Sequence, residues 1–213
     1  LALDSSGLVA SVAVVEDDNM LAEYTVNYKK THSQTLLPML DEIGKMIELD
    51  LSTVDAIAVA AGPGSFTGLR IGSATAKGLG LALDRPLISV PTVDGLAYNL
   101  YGSRDMVCPL MDARRNQAYT GLYEFDSEGM HTILEQSALG INEIIEKVNA
   151  LGRSVVFLGD GIPVFCAYIQ ENCQVPYTFA PAHLNKQRAA AVASLALVLA
   201  KEGKLENARD HKP

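Results

Sequence analysis

At 213 residues with a formal net charge of −8, the chain is long enough for one large or two small domains. Its acidic balance argues against autonomous gripping of a nucleic-acid backbone, and its ordinary apolar content excludes wholesale disorder. Cys108, Cys166 and Cys173 lack Cys-x-x-Cys spacing, and His32, His131, His183 and His211 are scattered, so a reduced cytosolic protein without a helical metal pair is expected.

The sequence opens on Leu1 without Met, so the natural start is expected upstream, and no secretory signal is read. Leu1-Ala2-Leu3 is a short buried strand ending at Asp4. Residues 9–15 and 21–28 alternate as hairpin strands around the Asp17-Asp18-Asn19 turn. Ser33 is placed to cap a helix that carries Leu36, Met39, Leu40, Ile43 and Ile47 on one stripe, with charges at Asp41, Glu42, Lys45 and Glu48 that make core packing its default explanation. Residues 54–61 form the next strand. The run Ala60-Ala61-Gly62-Pro63-Gly64-Ser65-Phe66-Thr67-Gly68-Leu69-Arg70 then leads into a helix over 67–83. Leu87–Val90 reads as a strand and 93–101 as a short helix.

The second half echoes this plan. Residues 106–111 are apolar and end at Asp112, and an alternating strand follows over 117–123. Ile141–Leu151 is helical, and the strand 154–158 runs into a second glycine turn, Gly159-Asp160-Gly161. The pattern predicts an α/β fold of two actin-like lobes (ASKHA, ribonuclease H-like), each a mixed sheet flanked by helices. The lobes span 1–103 and 104–186, with a last helix from 187 returning to the first lobe within 187–213. Residues 189–200 are too few to span a bilayer, and the polar tail 207–213 is expected to fray.

Strand, glycine turn and helix start in that order aim backbone N–H groups at one spot, which suits phosphate; a tight connection explains the same residues. Gly62 and Gly64 are the cofactor-binding candidates there. Asp4, Asp112 and Asp160 follow strands, where carboxylates can hold hydrated magnesium against a nucleotide, or simply cap their own turns. Arg114 and Arg115 suit bidentate contact with phosphate, or a surface ion pair with Glu124 or Glu128. The helix over 67–83 carries Leu69, Gly72, Ala76, Leu79 and Leu83 on its core face, yet is apolar most of the way round. It is therefore either a central helix or a subunit interface. No catalytic nucleophile set and no metal cluster is legible.

Leu1-Ala2-Leu3-Asp4-Ser5-Ser6, the glycine run continued through Ile71-Gly72 with Ala76-Lys77-Gly78-Leu79, and Met111-Asp112-Ala113-Arg114-Arg115 together resemble the bacterial TsaB family. The catalytic TsaD paralogue of that family carries a His-x-x-x-His metal pair after the strand at 87–90. Here Thr92 and Leu96 stand in its place, and neither binds a transition metal as His does. The resemblance implies a cytoplasmic, non-catalytic scaffold for making N6-threonylcarbamoyladenosine in tRNA. It would pair with the TsaD-like paralogue, or with itself when alone, through the helices over 33–47 and 67–83. Leu36, Leu40, Arg70, Ala74, Lys77 and Gly78 are the interface candidates. A TsaE-like ATPase subunit is a further implied partner, with tRNA touched only indirectly. Any ATP or ADP with magnesium would bind at or near the subunit interface; Asp4, Gly62, Gly64, Asp112 and Arg114 are the candidate contacts. The alternatives are an autonomous actin-like ATPase using Asp4 and Asp112, a glycoprotease-like peptidase, and a chaperone-like accessory.

Overall fold

The computed structural model describes residues 1–28 and 34–212, so the helix cap expected at Ser33 lies outside the described residues. The chain divides into two units: Leu1–Gly95 with the chain from Gln187 onward, and Leu96–Lys186.

The first unit is built on a five-stranded sheet. Its strands are β1 (Ala2–Asp4), β2 (Ala10–Glu16), β3 (Asn19–Val26), β4 (Ile57–Ala60) and β5 (Leu87–Val90), in the order β3-β2-β1-β4-β5. The β1–β2 and β2–β3 pairs are antiparallel, as tight turns allow; β1–β4 and β4–β5 are parallel, joined by helical crossovers. One crossover is α1 (Leu36–Met46), and the other is α2 (Phe66–Leu83), capped by the Ser65 hydroxyl accepting the Gly68 N–H at 3.3 Å. A short helix α3 (Thr92–Ala97) follows β5. Leu3, Val12, Val14, Leu36, Met39, Ile43, Ile57, Val59 and Leu87 make the core.

The second unit repeats the plan. Strands β6 (Met106–Arg114), β7 (Gln117–Asp126), β8 (Gly129–Gly140), β9 (Val155–Leu158) and β10 (Tyr177–Phe179) are ordered β10-β9-β6-β7-β8. With β6 in the place of β1, both the order and the mix of parallel and antiparallel pairs are the same. Helices α4 (Ile141–Leu151) and α5 (Ile162–Asn172) complete it around Met106, Leu110, Ile144, Phe157 and Phe165. Strands β8 and β10 were not legible in the sequence.

Helix α6 (Ala189–Lys201) lies on the first sheet, against β2, β1, β5 and β4. Its start is fixed by side chains of that sheet: Ser11 Oγ accepts the Ala189 N–H at 2.8 Å and Glu23 accepts the Ala190 N–H at 3.1 Å. The tail after α6 corrects the expectation of fraying. Glu206 and Leu87 exchange both backbone bonds across the edge of β5, and Ala208 and His211 are buried. Its polar residues are held by long-range partners that local composition does not reveal.

Candidate functional site

In the first unit the carboxyl ends of β1 and β4 bring Asp4 and the glycine turn together. Asp4 is buried, and its carboxylate accepts the Ser6 N–H at 2.9 Å and the Ser6 hydroxyl at 2.7 Å. This is a local turn of the kind Asp stabilises by bonding the backbone two residues on. Gly62, at φ 103°, donates its N–H to the Thr92 hydroxyl at 2.9 Å, and its carbonyl accepts the Thr92 N–H at 2.8 Å. At Gly64 a β-carbon would fall 2.3 Å from the Ser6 carbonyl oxygen. That same oxygen accepts the Ser65 N–H at 2.7 Å. A protein carbonyl thus takes a donor that a phosphate at the start of α2 would use.

The second unit shows the same habit. Strand β6 continues past Asp112 into a hairpin with β7, so this aspartate does not end its strand. Asp112 is exposed; its carboxylate accepts the Arg114 N–H at 2.8 Å, and its own N–H donates to Asp160 at 3.3 Å. Arg114, Arg115 and Asn116 take left-handed φ values of 67°, 52° and 59° around the two-residue turn. Positive φ at both loop positions suits the twist of a tight hairpin, and it turns two exposed arginines outward. The alternative of an ion pair with Glu124 or Glu128 is not formed among the described residues; Glu124 pairs with Arg153 at 2.7 Å. At Gly159 a β-carbon would lie 2.2 Å from the Leu110 carbonyl, and the N–H groups of Gly159 and Gly161 donate to the Asn185 and Leu110 carbonyls. Burial holds the Asp160 carboxyl above the ordinary carboxylate range, against the weaker opposing pull of the Asp112 N–H.

An actin-like fold implies a nucleotide phosphate at such turns. The N–H groups of Gly62, Ser65, Gly159 and Gly161 all point at protein acceptors. These four donors are thus already engaged within the protein. Among the described residues no three His, Cys, Asp or Glu side chains converge to hold a metal. Thr92 and Leu96, at the positions where imidazoles would be needed, are both buried.

The interface candidates separate. Arg70, Ala74 and Gly78 are exposed along one stripe of α2, which begins at Phe66 and is flanked by Leu81. The Arg70 guanidinium lies 4.1 Å over the Phe66 ring. Leu36 and Leu40 are corrected: both are buried in the core of the first unit, and α1 instead shows Leu37 and Met46 to solvent. The stripe was legible, but it faces inward. Lys77 is half-buried, and its ammonium donates to the Arg209 and His211 carbonyls at 2.8 and 2.9 Å, which ties it to its own chain.

One polar cluster escaped the sequence. Ser73 Oγ lies 2.5 Å from His211 Nε2, whose Nδ1 lies 2.9 Å from Glu206, and Ser89 also bonds Glu206. The order serine, imidazole, carboxylate is that of a hydrolase triad. Ser73 and His211 are 5% and 2% exposed, so no substrate reaches the hydroxyl, and the cluster serves packing. A serine on the small-residue stripe Gly72, Ala76, Gly80 was the signal available.

No helix among the described residues is long and apolar enough to cross a membrane. The family described as "TsaD: tRNA N6-adenosine threonylcarbamoyltransferase" matches residues 19–213. The Bacillus subtilis "tRNA threonylcarbamoyladenosine biosynthesis protein TsaB" is 33% identical over 159 residues, covering 75% of this chain and 69% of that protein. The solved structure of YeaZ from Pseudomonas aeruginosa superposes with TM-score 0.84 at 29% identity, over 100% of this chain and 96% of that one. An actin-like kinase, the polyphosphate/ATP-glucomannokinase of Arthrobacter, shares the fold at TM-score 0.52 and 11% identity, over 94% and 97% of the two chains. With two like sheets, the Asp4 and glycine turns and this span of similarity, the chain belongs to the TsaB family, within the larger family that carries the TsaD description.

Proposed function

We propose that this chain is a non-catalytic subunit of the assembly that installs threonylcarbamoyl on tRNA adenosine, and that it works by docking to a catalytic TsaD-like paralogue. The observation that carries the reading is the exposed stripe Phe66, Arg70, Ala74, Gly78 on α2. Small residues in its middle let another helix approach closely, and the Phe66–Arg70 stack offers an apolar plate and a cation at one end. Buried Thr92 and Leu96, together with the internally engaged N–H groups of Gly62, Ser65, Gly159 and Gly161, support a role without chemistry of its own.

The same stripe would serve a homodimer when the paralogue is lacking. The net charge of −8 accords with tRNA being held by other subunits. The compartment is the cytoplasm, where tRNA is modified, and a TsaE-like ATPase is a further partner. Nucleotide and magnesium, where the assembly uses them, sit at a site completed by a partner.

The test is assembly of the purified chain with its TsaD-like paralogue by size exclusion and calorimetry. Ala74→Glu or Gly78→Arg places a charge or bulk in the contact and should weaken binding about a hundredfold while the fold survives. An undisturbed complex refutes docking through α2. Threonylcarbamoyl transfer by the chain alone refutes the non-catalytic role, and tight nucleotide binding by the chain alone favours the ATPase alternative.

A further inference from the structure

The segment 205–211 runs along α2 and the outer edge of β5. Glu206 exchanges backbone bonds with Leu87 at 2.9 and 3.0 Å. Ala208 sits so close to α2 that a β-carbon on Gly80 would fall 2.8 Å from its methyl. Lys77 grips two carbonyls of the segment, and the His211 ring stands between Ser73 and Glu206. Ser73, Lys77 and Gly80 are spaced four and three apart and so share one stripe of α2. That stripe lies beside the exposed one and takes no residue from it.

Helix α2 needs such a hold. Its buried residues are Gly68, Gly72, Ser73, Ala76 and Gly80, and Ala76 alone joins the fully buried apolar core. Its larger side chains on the core side, Ile71 and Leu79, are only partly buried against that core, so a mostly smooth face permits close approach and sets the helix rotation weakly. The first turns are fixed by the Ser5 hydroxyl on the Gly68 carbonyl. The second half has the segment 205–211.

We infer that this segment is a strap that sets the position of the second half of α2, and that His211 is a positioning residue for docking through the exposed stripe. The inference rests on the docking reading of α2 proposed above. It adds a determinant of assembly that touches no partner.

The experiment uses the whole chain with the purified TsaD-like paralogue as probe. His211→Ala should speed amide exchange across residues 73–83 about tenfold and weaken assembly about tenfold. His211→Gln, which keeps a polar group near Ser73, should restore part of both. Glu23→Ala, at the opposite edge of the sheet, should lower Tm without either effect. Where His211→Ala fails to fold, Lys77→Met removes the two carbonyl bonds and carries the same expectation. Unaltered exchange over 73–83, or unaltered assembly at equal loss of Tm, overturns the strap. Ala74→Glu separates the two ideas: assembly that ignores it sinks docking through α2 and the strap's part in docking together. Assembly lost in Ala74→Glu but kept in His211→Ala sinks the strap alone.

Discussion

The Ser5 hydroxyl donates to the Gly68 carbonyl over 2.8 Å, and the Ser5 carbonyl lies 2.0 Å from where a β-carbon on Gly68 would be. Backbone meets backbone there, so neither side can yield by a rotamer change. Gly68→Ala is therefore expected to cost about 3 kcal/mol or to prevent folding, read as urea unfolding of the purified variant. At Gly78, on the exposed stripe of the same helix, nothing lies within 4 Å of the added carbon. Gly78→Ala should instead stabilise by about 0.5–1 kcal/mol, because alanine loses less backbone freedom in a helix. Equal responses at the two positions would refute the packing described for α2.

These glycines also mark the border of what the sequence discloses. The order strand, glycine turn, helix was legible, and Leu87–Val90 and Ile141–Leu151 match their elements residue for residue. The purpose of the glycines was not, because a close approach and an anion cradle require the same absent β-carbon. Strand β8 escaped because most of its residues are half-buried on both faces, which erases the alternation that reveals a strand. Leu36 and Leu40 were grouped correctly, and the pattern of their helix already favoured the core they occupy; only the family resemblance placed them at an interface. His211 was invisible for a third reason: its partner Ser73 lies 138 residues away.

The Glu23–Arg188 pair makes a second prediction. Both groups are largely withdrawn from water, with side chains 11% and 31% exposed, and Glu23 also accepts the Ala190 N–H that opens α6. Removing the carboxylate leaves a half-buried guanidinium and an unmet helix donor. Glu23→Ala should cost about 2 kcal/mol, discounted from the fully buried case because Arg188 keeps some solvent. Arg188→Ala should cost less, since Glu23 retains a backbone donor. The reverse ranking in denaturant melts would contradict this account of how α6 is anchored.

Asp160 gives a pH signature. Burial raises its carboxyl above the ordinary aspartate value of 3.8, so the folded state holds its proton more tightly than the unfolded chain. Stability from this group is therefore present below the unfolded value and declines as pH rises through the folded one. Asp160→Asn, whose amide oxygen still accepts the Asp112 N–H, should raise Tm at pH 7. The gain should vanish as pH falls below the unfolded value. A gain that is the same at pH 3 and pH 7 would assign the effect to something other than ionisation.

Cys108 supplies the last test. Burial at the centre of the second unit pushes its thiol up to about 12, despite a contact with the Thr120 hydroxyl that pulls the other way. The thiolate is the reactive form, so at pH 8 this sulfur is silent in the native protein. Cys166 and Cys173 are half-exposed and should react first with a thiol reagent. Cys108 should follow only at the rate of unfolding, and denaturant should bring it level with the others. The same shift has a stability consequence: between the ordinary thiol value of 9.0 and about 12 the unfolded chain loses this proton and the folded one keeps it. Folding is then disfavoured as pH rises through that window, and Cys108→Ala should remove this part of the alkaline loss while costing some packing at neutral pH. Prompt labelling of Cys108 at pH 8, with the protein fully folded by circular dichroism, would mean that the second unit opens far more readily than its buried core of Phe157, Leu110 and Ile144 implies.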